Sequence, residues 1–193
     1  MLWQIGPATQ PADLGTYLKA HGFIHGGDSP GMAVNLSRLR EDLSETSGLV
    51  IERVNEIEML RRWCDVIASG FGMPDFVVDA FFDFYGSIGL DAELPLHHYI
   101  GWLNDEPVAT SSLFLGAGVA GIYNVATIPA ARRQGIGAIM TLIPLQEARA
   151  EGYKAGVLSS SEMGTGVYQS LGFQEYCKIS QYLWSPDHQQ GAG

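Results

Sequence analysis

Arg132 and Arg133 stand just before Gly135-Ile136-Gly137, in a stretch, ATIPAARRQGIGAIM, that follows an apolar segment and opens a helical pattern. Glycines two positions apart at a strand-to-helix junction let the backbone come close to a ligand. The free N–H groups of a helix start favour an anion there, and two guanidiniums add positive charge at the same place. These residues therefore suit a bulky anionic ligand, and whether it is a phosphate depends on the rest of the chain. Two familiar phosphate patterns are excluded. Met140 occupies the third glycine position of a dinucleotide fingerprint, and no Gly-Lys-Ser/Thr follows, as a phosphate loop requires. Cys64 and Cys177 have neither disulfide nor zinc spacing, and neither sits in an identifiable nucleophile setting with a base. Both read as buried, inert thiols.

Such a loop has to be held by a sheet before it and a helix after it. GLVIERV, residues 48–54, reads as a short strand, and Asn55 with Glu58 as a capping box opening a helix. Ile57, Leu60, Cys64 and Ile67 form one face of that helix, and Gly70 and Gly72 stop it. Pro74 starts a second, aromatic-rich helix running to Gly86 or Gly89, with its phenylalanines expected in the core. LHHYIGWL and PVATSSLFLGA flank the turn residues Asn104 to Pro107 and read as a hairpin. GVAGIYNVAT is a third strand, ended by Pro129. Ile136, Ile139, Met140, Ile143 and Ala148 mark the helix after the loop, with a kink expected at Pro144. AGVLSSS is a strand, GTGVYQSLGF a helix and QEYCKISQYLW a final strand or hairpin, and the tail after it is expected to be disordered.

The 193 residues, 46% of them hydrophobic, suit one domain with an appendage. A net charge of −10 and a pI near 4.8 argue against nucleic acid or an anionic membrane as partner and would attract a cationic substrate. With no signal-peptide pattern and no bilayer-length apolar run, a cytoplasmic location is expected.

From Gly48 to Trp184 the chain resembles the GCN5-related N-acetyltransferase (GNAT) superfamily. The family motif, Gln or Arg, two spacers, Gly, a spacer, then Gly or Ala, is matched by Arg132-Arg133-Gln134-Gly135-Ile136-Gly137. It follows the third strand and a proline, opens a helix, and is followed one strand later by Tyr168 and Leu171-Gly172-Phe173. The resemblance implies a mixed α/β (α+β-like) fold, with a central mixed sheet of about six to seven strands flanked by helices. It implies acetyl-CoA as co-substrate, with the pyrophosphate on the loop from Arg132 to Ala138. It also implies that Val125, Ala126 and Thr127, where the strand splays, pair with the pantetheine arm and polarise the thioester carbonyl. Ser161 stands where family members commonly carry an Asn that holds pantetheine, and Tyr168 aligns with the tyrosine that protonates the departing thiolate. The implied activity is direct acetyl transfer to an amine of a small molecule or peptide, with no metal, no nucleic acid, no membrane and a possible homo-oligomer. The alternative is an acyl-CoA-binding sensor without turnover.

A primary amine of pKa near 10.4 is neutral in about one molecule in ~2,500 at pH 7, a handicap of roughly 4.6 kcal/mol, so a base or water chain is expected. No carboxylate lies in GIYNVAT; Glu162, His97 and His98 are the remaining options, with alternation expected to send one histidine ring outward. Phe81, Phe84, Tyr85 and Tyr99 are expected near the acceptor. Residues 1–47 fall outside a single acetyltransferase core of residues 48–184, with 185–193 as the tail. Within them, YLKAHGFIH resembles VYQSLGFQE, His21-Gly22-Phe23 standing where Leu171-Gly172-Phe173 stand, and GMAVNLS follows as a strand. The segment reads as the end of a degenerate second half. Leu18 replaces Tyr168 in it, and its expected role is packing, a wall of the acceptor site or an oligomer contact.

Overall fold

A computed structural model describes residues 1–44 and 46–185. The expectation for the tail lies, beyond Ser185, outside them. In chain order the elements are β1 (Leu2–Ile5), α1 (Leu14–Ala20), β2 (Ile24–Asn35), β3 (Leu49–Arg53), α2 (Ile57–Phe71), α3 (Phe76–Ile88), β4 (Leu96–Leu103), β5 (Glu106–Gly116), β6 (Val119–Thr127), α4 (Ile136–Ala150), β7 (Ala155–Ser159), α5 (Thr165–Ser170) and β8 (Gln174–Leu183). The strands form one eight-stranded sheet in the order β1-β8-β2-β7-β6-β5-β4-β3. Only β6 and β7 run parallel. The mixed fold is the expected one, with one strand more than the upper expectation.

Tight turns build the meander β3 to β6. Asn104 and Asp105 take φ of 51° and 66°, and Ala117 and Gly118 take 50° and 78°, the left-handed pairs that suit two-residue hairpins. Helices cover both faces. On one side α4 sends Ile136, Met140 and Leu145 onto Leu113 and Ile122. On the other, α2 sends Leu60, Trp63 and Ile67 onto Ile100 and Ala126. Covered on both faces at this point, β4 has no solvent side, so both His97 and His98 are buried where one ring was expected to face outward.

Other local expectations shift for identifiable reasons. Glu56, extended and without a side-chain cap bond, is the N-cap of α2, because Asn55 lies one residue outside it. Gly72, at φ 66°, closes that helix as expected, whereas Gly70 stays inside it. The phenylalanines of α3 divide: Phe81 and Phe82 are half-buried against the α2-side core, whereas Phe76 and Phe84 are 74% and 58% exposed, and Val78 is the helix's one buried residue. Cys64 is buried in α2, where burial pushes its thiol up to about 12. Cys177 on β8 is only half-buried.

The largest departure is β2. The sequence showed a strand only in its second half, because IHGGDSP reads as loop. The strand runs the full twelve residues: its stretch from Ile24 to Ala33 pairs with β8 and its end from Gly31 to Asn35 with β7, with register shifts along β8 between His25 and Gly27 and between Gly31 and Met32. A Cβ at Gly31 would stand 2.5 Å from Cys177 Sγ, so glycine is what allows the close pairing. Residues from before position 48 thus lie inside the sheet.

Candidate coenzyme cleft

The parallel pair β6 and β7 meets only at Ala120 with Gly156 and Gly121 with Val157. Beyond that point β7 stays with β2 while β6 stays with β5, and the two strands part. A bulge in β6 accompanies the parting. The β5–β6 register slips between Thr110 and Ser112, and Asn124 takes a left-handed φ of 54°. The bulge is pinned by Thr110 Oγ1 donating to Asn124 O at 2.8 Å, and by Asn124 Nδ2 donating to Tyr85 Oη at 3.0 Å and Ser112 Oγ at 3.1 Å. The freed stretch, Val125 to Thr127, lines a cleft of about 890 Å³.

The turn into α4 forms the next wall. Pro129 to Ala131 make a single 3₁₀ turn, Arg133 lies at φ 64° and Gly135 at φ 78°. Gly135 O accepts from the N–H groups of Ala138 and Ile139 at 3.0 and 3.3 Å. The N–H groups of Ile136 and Gly137 belong to the first turn and have no intrahelical acceptor. A Cβ added at Gly137 would meet no heavy atom within 4 Å, so this glycine borders open space. Close helix packing sets the loop's position. A Cβ at Gly70 would stand 2.8 Å from the Cβ of Ala126, so α2 runs hard against β6.

Every residue expected at the coenzyme lines this one cleft: Val125, Ala126, Thr127, Arg132, Arg133, Gln134, Gly135, Ile136, Gly137, Ala138 and Ser161, together with Tyr168. The guanidinium of Arg132 has a second task. Its Nε donates to Thr127 O at 3.1 Å and its Nη2 to Gly70 O at 2.8 Å, which ties the end of β6 to the end of α2. Arg133 is then the loop's other cation. Ser161 Oγ accepts from Gly164 N at 3.2 Å, shaping the start of α5. Tyr168 is buried on α5, and burial pushes its hydroxyl up to about 12.

The expected bases are elsewhere. Glu162 is exposed and not among the lining residues. His97 is occupied at both nitrogens, with Nδ1 3.2 Å from Glu147 Oε1 and Nε2 2.8 Å from Leu94 O. His98 is held at Nδ1 by Ser112 Oγ at 2.8 Å. Burial, and then the nearby His97, lower its pKa to about 4. The expected acceptor aromatics separate too. Phe81 and Tyr85 pack on the α2 side, whereas Tyr99 belongs to the cluster on the α4 side. Leu43, Ser44 and Thr46 also line the cleft, and no motif or spacing signals them.

The sequence model of the acetyltransferase (GNAT) family matches residues 59–173. Among curated proteins none matches the sequence. A solved GCN5-related N-acetyltransferase from Kribbella flavida superposes with a TM-score of 0.71 at 20% identity, over 94% of this chain and 66% of that one. A second, from Sphaerobacter thermophilus, gives 0.71 at 18% identity over 94% and 59%. A tandem GNAT protein from the clavulanic acid biosynthesis pathway gives 0.65 at 13% over 94% and 62%. At these identities the likeness is one of fold, and the chain spans 59 to 66% of the length of these three structures.

Proposed function

The chain belongs to the acetyltransferase (GNAT) family, and from that premise we propose that it is a cytoplasmic, acetyl-CoA-dependent N-acetyltransferase acting on an amine of a small molecule or peptide. The observation that carries this reading is the cleft itself, where the parted strands, the N-terminus of α4 and Tyr168 meet around about 890 Å³. The residues present fit the coenzyme. There is room beside Gly137, a helix start for a pyrophosphate, and freed backbone on Val125 to Thr127 for an amide-bearing arm. Bound there, acetyl-CoA supplies the acetyl group as an activated thioester.

The residues of this chain then have distinct tasks. Gly135, Ile136 and Gly137 present backbone to an anion at the positive end of α4, and Arg133 adds charge. The freed N–H groups of β6 lie where they can polarise a carbonyl. Tyr168, with its hydroxyl near 12, stays protonated across the working range. A thiolate of pKa about 8.5 would have to pull its proton uphill by about 3.5 pKa units, roughly 5 kcal/mol. Tyr168 therefore acts first by donating a hydrogen bond to the developing charge. Transfer is direct, since the Cys64 thiol is buried in α2 and raised to about 12. The net charge of −10 draws in an ammonium acceptor.

One observation favours the sensor reading: among the described residues the cleft lining contains no Asp, Glu or His to take the amine's proton. Calorimetry with coenzyme A, followed by an amine panel assayed for free thiol release, tests both. Coenzyme binding with thiol release on one amine class supports the enzyme, binding without release on any amine supports the sensor, and no binding removes both. Replacing Arg133 with Ala should weaken coenzyme affinity and flatten its salt dependence, while Arg132→Ala should also lower the melting temperature, because it severs the β6–α2 tie.

A further inference from the structure

The cleft has a wall that none of the family motif supplies. Leu43, Ser44 and Thr46 belong to the connection between β2 and β3, which passes across α4 to reach the cleft. This strap is tied at three points. Arg40 N donates to Leu171 O at 3.1 Å. The Glu41 carboxylate accepts from Arg149 and from Gln146 Nε2 at 2.7 Å, and those bonds hold its pKa below the usual carboxylate value. Thr46 Oγ1 donates to Gln134 O at 2.7 Å, 88 residues away in sequence and inside the anion-binding turn.

We propose that the strap is part of the coenzyme site and that Thr46 is a positioning residue for the turn, acting through Gln134. The inference rests on the reading that this cleft takes coenzyme A. In a trans peptide the carbonyl and the following N–H point in opposite directions, so holding Gln134 O fixes the direction of Gly135 N–H. Gln134 lies between two left-handed residues, Arg133 at φ 64° and Gly135 at φ 78°. A turn of that kind has a low barrier to rotating the intervening peptide, because Gly135 has no Cβ to oppose it. Rotated, the peptide would present a carbonyl oxygen to the anion and repel it. Thr46 is the side chain whose hydrogen bond opposes that rotation, and it comes from the part of the chain that precedes the family core.

The test is calorimetry on the full chain with coenzyme A, and with pantetheine, which lacks the phosphates, comparing wild type with Thr46→Val and Thr46→Ser. One hydrogen bond acting through the turn predicts a loss of about three- to tenfold in coenzyme A affinity for Thr46→Val. Pantetheine affinity should stay within about twofold, and Thr46→Ser should restore coenzyme A binding. Thr46 is half-buried at the surface, and melting curves check that both variants fold. Equal coenzyme A affinity for Thr46→Val and wild type overturns the proposal while leaving the cleft reading intact. Equal losses for coenzyme A and pantetheine also overturn it, because they mark a structural role. Wild type that binds no coenzyme A overturns the cleft reading and the proposal together.

Discussion

The chain builds one strand-helix-strand unit twice, first as β1-α1-β2 and again as β7-α5-β8. The helix endings match bond for bond. Gly22 and Gly172 lie at φ 83° and 98°. Phe23 N bonds to Leu18 O and Phe173 N to Tyr168 O, each at 3.0 Å, and Gly22 N to Lys19 O and Gly172 N to Gln169 O, at 3.1 and 3.0 Å. The units also exchange partners: β1 pairs with β8, β7 pairs with β2, and β2 and β8 pair with each other at the centre. The differences lie at the margins. The other edge of β7 meets β6 and then loses it, which opens the cleft, whereas β1 ends the sheet among the described residues. Tyr168 offers a hydroxyl where Leu18 offers a methyl group. The same local fold therefore borders the cleft only where a departing neighbour strand leaves room, and on the proposed function the second unit carries the chemistry while the first serves as structure.

The strongest way to break the comparison is to remove the first unit. Met32 and Val34 are 2% and 6% exposed and sit in the cluster that also holds Ile136, Tyr168 and Phe173. Deleting residues 1–47 takes β2 from between β7 and β8 and should abolish cooperative unfolding. Met32→Asp, which buries a carboxylate there, should cost more than about 4 kcal/mol. Urea titration followed by circular dichroism checks both. A truncated chain that still melts cooperatively and binds coenzyme A would show residues 48–184 to be an independent domain.

What the sequence disclosed divides along the same line. The turn from Arg132 to Gly137, the Tyr168 helix and the His21-Gly22-Phe23 echo are local patterns whose backbone requirements are met by residues a few positions apart. Long-range pairing leaves no such trace. The first half of β2 reads as loop because Gly26, Gly27, Pro30 and Gly31 have low strand propensity, and pairing with β8, from a distant part of the chain, makes it a strand. Thr46 and Gln134 meet across 88 residues, and the Arg132 link to Gly70 spans 62. Of the α3 phenylalanines, Phe81 and Phe82 reach the core, but Phe76 and Phe84 have core composition with too little covering them.

Acid should then reveal which region yields first. Neither unit carries a buried histidine, since His21 and His25 are exposed, whereas His98 lies buried in the β4–β5 hairpin. Its folded pKa of about 4 is below the free value, so the unfolded chain binds the proton more readily. Stability is full above about pH 6.5 and falls as pH drops toward 4, by at most roughly 3 kcal/mol from this group. His98→Asn should flatten that stretch of the stability-pH curve. A slope unchanged in the variant would move the acid-sensitive group elsewhere.

Tyr168 and Leu18 allow a smaller and sharper contrast. Tyr168→Phe keeps the ring on Phe173, which it meets edge-on at 6.0 Å, and removes only the hydroxyl. Turnover should fall by at least roughly tenfold with coenzyme affinity moving less than about 1.4 kcal/mol, the pattern of an interaction made mainly in the transition state. Leu18→Tyr should add no activity and cost about 1–3 kcal/mol by overpacking a residue that is 7% exposed. Steady-state kinetics on the best amine, paired with calorimetry, separates the two. Unchanged turnover at saturation in Tyr168→Phe would remove the hydroxyl from the mechanism.

The smallest effect belongs to the paired glycines. Alanine at either Gly22 or Gly172 must hold a left-handed φ, which costs about 1 kcal/mol. Space adds little at Gly172, where a Cβ would lie 3.4 Å from Arg38 O and 3.6 Å from Val34 Cγ2, both ordinary contacts. If the units are equivalent as folds, Gly22→Ala and Gly172→Ala should lower the melting temperature by similar amounts, about 2–4 °C each. Their kinetic consequences should differ. The turn at Gly172 closes on Tyr168 O through Phe173 N, so strain there reaches a residue that lines the cleft, whereas the matching turn at Gly22 closes on Leu18, which does not line it. Gly172→Ala should therefore reduce turnover by a few-fold, of the order a 1 kcal/mol disturbance allows, and Gly22→Ala should leave it unchanged at a temperature where both are folded. Equal kinetic losses would mean that the first unit reaches the cleft through more than the strap at Thr46, and the division of labour between the two units would have to be redrawn.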